Sequence, residues 1–180
     1  MVRPSISRAQ AGMVLGRGSY MHGAAVDLHG KGGLLITGVS GAGKSTLARL
    51  LDDRGARILA DDIVLAFRDT GGRYLLQPGA DDDLWSMGEG PVPLSAIVFV
   101  EKGPGFCLHP LASEYSFYRA VRDGILWSEV YRYHRSGEDS ARARRDLASL
   151  LEATTTLLLR WDRSDPDSSV SAAKALMRVP

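Results

Sequence analysis

The 180-residue chain contains a single cysteine, Cys107, and no long hydrophobic run. One cysteine excludes an intramolecular disulfide and a zinc site built on several cysteines. The longest apolar segments, 94–100 and 154–159, are far shorter than the roughly 20 residues of a membrane-spanning helix. The chain also lacks an excess of either charge, because its 22 lysines and arginines are balanced by 21 aspartates and glutamates. We therefore expect a cytoplasmic chain that binds neither nucleic acid nor membrane.

The rest of the composition is that of an ordinary globular chain, with 44% hydrophobic and 24% charged residues. This length suits one domain, so we expect a single domain over residues 1–180. Residues 1–12 contain proline, serine and glycine, and we expect them to form a flexible arm.

Apolar runs alternate with amphipathic segments, which predicts an α/β fold with a mixed sheet and flanking helices. The predicted strands are 24–28, 33–37, 57–60, 63–67, 73–77, 94–100 and 154–160. The predicted helices are 45–54, 113–135, 138–151 and 168–177, the last with a cap at Asp167 or Ser168. Turn residues at 29–32 and 69–72 predict two hairpins.

Residues 38–45, with the sequence GVSGAGKS, match the phosphate-binding pattern G-x-x-x-x-G-K-[ST] at every fixed position. An apolar strand precedes the pattern and an amphipathic helix follows it, which is the context that the motif requires. Backbone amides of such a loop and the start of its helix bind phosphate oxygens. The predicted nucleotide-binding residues are Gly38, Val39, Ser40, Gly41, Ala42, Gly43, Lys44, Ser45 and Thr46.

Asp61 and Asp62 directly follow the predicted strand 57–60. A strand end beside a phosphate-binding loop is where a second Mg²⁺ ligand or a general base is expected. Because adjacent strand residues point to opposite faces, only one carboxylate should reach the metal unless the backbone bends. The alternative interpretation is a pair of solvated turn residues.

Four segments together resemble the catalytic domain of bacterial HPr kinase/phosphorylase. They are Met21-His22-Gly23, Val26-Asp27-Leu28, the run 35–45, and the run 54–62 with the sequence RGARILADD. The resemblance covers about residues 16–67. It implies a P-loop nucleotide-binding fold of the HPr kinase/phosphoenolpyruvate carboxykinase type, a mixed sheet with flanking helices.

The resemblance also implies roles for individual residues. Asp61 would be the acid/base that takes the serine proton, and Asp62 would lie close to the metal. His22 would lie near the same site, and Lys44 would bind the phosphates. Ser45 and Asp62 are the implied Mg²⁺ ligands.

The implied activity is an ATP- and Mg²⁺-dependent kinase that transfers the γ-phosphate to a serine-type hydroxyl of a peptide or protein. Two alternatives stay open: a kinase of a small hydroxyl metabolite such as free serine, and a nucleotide-binding regulatory module with little catalysis. The basic segment 115–145 adds the hypothesis that Arg119, Arg122 or Arg132 reaches the γ-phosphate, against the plainer interpretation of a solvated helix face.

The chain also departs from the family pattern. The family signature E-x-R-G has no counterpart, since residues 84–89 occupy its place. The C-terminal basic loop, which the family associates with phosphorolysis and hexamer contacts, is not recognisable. We therefore expect weak phosphorolysis and an assembly smaller than a hexamer, a monomer or a homodimer.

Overall fold

The computed structural model describes residues 18–79, 90–124 and 137–179. The strands are β1 Gly18–Asp27, β2 Gly33–Thr37, β3 Arg57–Arg68, β4 Tyr74–Pro78, β5 Val92–Lys102, β6 Phe106–Pro110 and β7 Thr155–Trp161. The helices are α1 Lys44–Asp52, α2 Ser113–Arg119, α3 Gly137–Ala153 and α4 Pro166–Leu176, and a π-helical turn, Ala120–Gly124, continues α2. Over these ranges, no helix combines the length and the apolar character needed to cross a membrane.

The seven strands form one mixed sheet in the order β2-β1-β3-β4-β5-β7-β6. β2 also pairs with β5, so that strands β1 to β5 form a closed cycle of pairings. The β2–β5 and β5–β7 pairs are parallel and all other pairs are antiparallel. The carboxyl ends of β2, β5 and β7 therefore lie at one edge of the sheet, where loops can converge on a ligand.

Two hydrophobic cores cover the two faces of the sheet. The first packs α1 and α4 against the strands through fully buried side chains such as Leu47, Leu176 and Trp161. The second packs α3 and the π-helical turn against the opposite face through Leu147, Leu150 and Ala120. Helices on both faces are typical of a sheet with parallel strands at its centre.

The mixed α/β class with flanking helices is confirmed, and so are both hairpins. In the first, the Leu28 amide donates to the Gly32 carbonyl at 2.9 Å between β1 and β2. In the second, Asp69 and Arg73 close the turn between β3 and β4, with the Asp69 amide 2.9 Å from the Arg73 carbonyl. Glycine-rich turns between apolar runs determine hairpins locally, which explains why the sequence predicts them well.

Three expectations are corrected. The acidic pair does not end a strand, because β3 continues through Asp61 and Asp62 to Arg68. The cap of α4 is Asp165, whose carboxylate accepts from the Asp167 amide. The strand β6 was not predicted.

Part of the predicted helix 113–135 lies within the described residues, as α2 and the π-helical turn. The remainder of that helix and the arm at residues 1–12 lie outside the described residues.

Candidate functional site

A cavity of ≈ 380 Å³ opens at the carboxyl end of β2. Four parts of the chain form its wall: β1, the glycine-rich loop of residues 38–43, the start of α1, and β3. One further residue, Arg163, follows β7. The wall consists of His22, Gly23, Ser40, Gly41, Gly43, Lys44, Ser45, Thr46, Asp61, Asp62 and Arg163.

The glycine-rich loop has a backbone that only glycine adopts readily. Gly38, Gly41 and Gly43 have φ angles of 149°, 76° and 102°, in the region where a Cβ atom causes strain. A Cβ on Gly38 would lie 2.5 Å from the Val100 carbonyl oxygen, and one on Gly43 would lie 3.0 Å from the Trp161 ring. The loop is therefore packed closely against β5 and β7, and glycine makes that approach possible.

Lys44 begins α1 and is almost fully buried, with 8% of its surface exposed. Its Nζ donates to the carbonyls of Gly38 at 3.0 Å and Val39 at 3.2 Å. Burial lowers the pKa of Lys44 below its ordinary value, and the negative charges of Asp61, Asp62 and Asp123 oppose that shift. The loop thus holds a cation directly beneath its own carbonyl groups.

The two aspartates have different partners inside the cavity. Ser45 Oγ donates to Asp61 Oδ1 at 2.7 Å. Asp62 Oδ1 lies 3.2 Å from His22 Nε2. One carboxylate is therefore bound to the helix that follows the loop, and the other is bound to β1.

The backbone at Asp62 explains how neighbouring strand residues share one cavity. Asp62 has a φ of 149°, which is unusual for a residue other than glycine. Strained conformations of this kind cluster at functional sites because the surrounding structure must hold them. Opposite Asp62 in the β1–β3 register lies Gly23, where a Cβ would collide with the Ile36 carbonyl oxygen. The backbone bend that lets both carboxylates face one cavity is thus present.

The register of β3 is also irregular just before the acidic pair. Ala25 pairs with Ala60 and Val26 pairs with Ile58, which leaves Leu59 as an extra residue on β3. Such a bulge redirects the side chains that follow it and is frequent beside active sites.

Most residues predicted for the site lie in the cavity wall. Of the remaining loop residues, Gly38 and Val39 accept hydrogen bonds from Lys44 through their carbonyls, and Ala42 is buried in the hydrophobic core. Arg163 was not among the predicted site residues. It follows β7, and only the pairing of β7 with β5 brings it to the edge where β2 ends. In the sequence, only the position of Arg163 just after the apolar strand β7 could have indicated this role.

Two of the three predicted arginines, Arg119 and Arg122, are not among the described residues that line the cavity. Arg119 pairs with Glu101 at 2.8 Å and with Asp123 at 2.8 Å. Arg122 also pairs with Asp123. Arg132 lies outside the described residues. Arg119 and Arg122 therefore belong to an ion-pair network with Glu101 and Asp123.

The fold and the site define a mixed α/β chain in which a glycine-rich loop, followed by the buried Lys44, shares one cavity with the carboxylates of Asp61 and Asp62. Residues 14–78 match the family model described as HPr Serine kinase C-terminal domain. The resemblance to the HPr kinase/phosphorylase catalytic domain is therefore confirmed for this segment, which contains His22, the loop residues 38–46 and both aspartates.

Individual relatives support the same segment. An HPr kinase/phosphorylase of Chloroherpeton thalassium is 44% identical over 62 residues, which is 34% of this chain and 18% of the relative. The protein of the same name from an Exiguobacterium species is 50% identical over 56 residues, 31% of this chain and 17% of the relative. That of Lacticaseibacillus casei is 57% identical over 44 residues, 24% of this chain and 14% of the relative. The chain thus matches less than a fifth of the length of these relatives.

Proposed function

We propose that this chain is an ATP-dependent kinase that transfers the γ-phosphate to a serine-type hydroxyl of a protein or peptide. One observation carries the proposal: a single cavity brings together the glycine-rich loop, Lys44, Ser45 and both aspartates. The loop amides and the start of α1 are suited to phosphate oxygens. Lys44 adds a positive charge at the base of the loop, where the phosphates would lie.

The donor set fits Mg²⁺ because the Ser45 hydroxyl and the Asp61 carboxylate are adjacent oxygen ligands. When bound there, Mg²⁺ would withdraw negative charge from the phosphates of ATP. In this assignment Ser45 and Asp61 hold the metal.

Asp62 is then the group that takes the proton of the acceptor hydroxyl. His22 holds one of its carboxylate oxygens from the side of β1, and orienting a base in this way favours proton transfer. The contacts favour this division of roles over the reverse one that the sequence analysis proposed, with Asp61 as base and Asp62 at the metal. Both divisions use the same residues.

The variants Asp61→Asn and Asp62→Asn distinguish the two divisions. Loss of the base should lower phosphoryl transfer by about two orders of magnitude or more at every Mg²⁺ concentration. Loss of the metal ligand should instead raise the Mg²⁺ concentration that gives half-maximal turnover. We expect the first result for Asp62→Asn and the second for Asp61→Asn. The opposite pair of results would restore the division that the sequence suggested.

The relatives carry HPr in their name, and a protein or peptide acceptor is the corresponding proposal for this chain. Transfer of the labelled γ-phosphate from ATP should be measured with HPr, with serine-containing peptides, and with free serine as acceptors. Transfer to free serine alone would support a metabolite kinase. Nucleotide binding without transfer to any acceptor would support a regulatory module, and failure to bind ATP would reject the proposal.

A further inference from the structure

A second lysine, Lys102, lies beside the glycine-rich loop at the carboxyl end of β5. Its Nζ is 3.9 Å from the position that a Cβ on Gly41 would occupy. The strand register explains this position. Thr37 at the end of β2 pairs with Phe99, so the last residues of β5 run alongside the loop that follows β2.

Lys102 and its neighbour Glu101 point in opposite directions, as adjacent strand residues do. Glu101 accepts from Arg119 Nη1 at 2.8 Å and from Arg160 Nε at 2.8 Å. Two arginines, one from α2 and one from β7, thus bind that carboxylate. Within the described ranges, Lys102 makes no hydrogen bond or ion pair.

Among the described residues, the charge around the loop therefore includes a lysine without an ion-pair partner, at the open side of the loop. Lys44 is buried at the base of the loop and is influenced by Asp61 and Asp62. Lys102 is exposed at the tip of the loop and pairs with no carboxylate of the residues that the structure describes. A flexible ammonium at this point can follow a phosphate group held by the loop amides.

We propose that Lys102 is a second phosphate-binding lysine of this site, which contacts the phosphate chain of the nucleotide from the open side of the loop. The inference rests on the proposed function, because it requires that the loop binds ATP. It adds a specific residue that the motif does not contain, since Lys102 lies 57 positions after Ser45, the last residue of the motif.

The test is calorimetric binding of ATP, without acceptor, to the full chain and its variants. Lys102→Ala should raise the Kd for ATP about fivefold to tenfold, as expected for loss of one charge-assisted contact. Lys102→Arg should keep most of the affinity. Lys174→Ala is the matched control, since it removes an exposed lysine from α4, and it should bind ATP as the wild type does. Added salt should weaken binding more in the wild type than in Lys102→Ala.

Unchanged ATP affinity in Lys102→Ala would overturn the inference. A raised KM for the acceptor with unchanged ATP affinity would also overturn it, because Lys102 would then bind the acceptor. The variant Lys44→Ala distinguishes failure of this inference from failure of the proposed function. If Lys44→Ala loses ATP binding and Lys102→Ala does not, only this inference fails; if Lys44→Ala binds ATP normally, the proposed function fails.

Discussion

The bent backbone at Asp62 should be detectable as a difference in stability between two variants. Asp62→Gly and Asp62→Ala both remove the carboxylate and its contact with His22. They differ in the backbone, because glycine tolerates a φ of 149° and alanine does not. Both variants lose the same contact, so the difference between their free energies of unfolding reports the backbone strain.

The magnitude follows from two opposing effects. Strain at a non-glycine residue of this kind costs about 1–3 kcal/mol. Glycine recovers that strain but loses about 0.4–1 kcal/mol because its unfolded chain is more flexible. We expect Asp62→Gly to be more stable than Asp62→Ala by about 1 kcal/mol, which is a Tm difference of about 2–4 °C for a chain of this size.

Urea and thermal unfolding of the two variants measure the difference. Thr155, an exposed residue of β7 outside the positive-φ group, provides the control position. There Thr155→Gly should be less stable than Thr155→Ala by roughly 0.5–1 kcal/mol, the usual order in a strand or helix. If Asp62→Ala equals or exceeds Asp62→Gly in stability, the backbone is not strained and the reasoning about the shared cavity is wrong.

Two further predictions concern the loop and the ion pairs behind it. Gly43→Ala should destabilise the fold more than Gly30→Ala. Both glycines have positive φ, but an added Cβ would contact the Trp161 ring at Gly43, whereas it would meet open space at Gly30. Thermal unfolding compares the two variants, and equal losses of stability would contradict the close packing at Gly43. Glu101→Gln should destabilise the fold above about pH 5 and lose that effect as the pH falls, because hydrogen bonds from two arginines hold the pKa of Glu101 below 4.5. Urea unfolding between pH 3 and 7 measures this, and a loss that is independent of pH would contradict it.

The sequence was sufficient for features determined by near neighbours along the chain. The loop 38–45 and both hairpins depend on glycine positions and flanking apolar runs, which a sequence displays directly. The resemblance to known kinases located His22 and the acidic pair, and the structure brings them to the same cavity as Lys44.

Features determined by pairing between distant strands could not be predicted in this way. The bend at Asp62 depends on the bulge at Leu59 and on Gly23 across the strand pair. Lys102 and Arg163 reach the site because β5 lies parallel beside β2 and β7 lies parallel beside β5. Neither residue belongs to a motif, and their approach to the loop depends on contacts between segments far apart in the chain.

The buried Lys44 should give the fold a characteristic dependence on alkaline pH. Burial lowers the pKa of Lys44 in the folded state below the 10.5 of an unfolded chain. Between these two values the unfolded state binds more protons than the folded state, so the free energy of unfolding should rise with pH. Below the folded pKa the cost of burying the ammonium is present in full. Lys44→Met removes the titrating group and should remove the rise, whereas Lys174→Met should keep it.

The neighbouring carboxylates sharpen this test. Asp61 raises the pKa of Lys44 against the effect of burial, so Asp61→Asn should let Lys44 lose its proton at lower pH. The alkaline rise in stability should then begin at a lower pH in Asp61→Asn than in the wild type. Urea unfolding from pH 7 to 10.5 measures both effects. If Lys44→Met shows the same rise as the wild type, the rise comes from another group and Lys44 is not the buried cation that titrates beneath the loop.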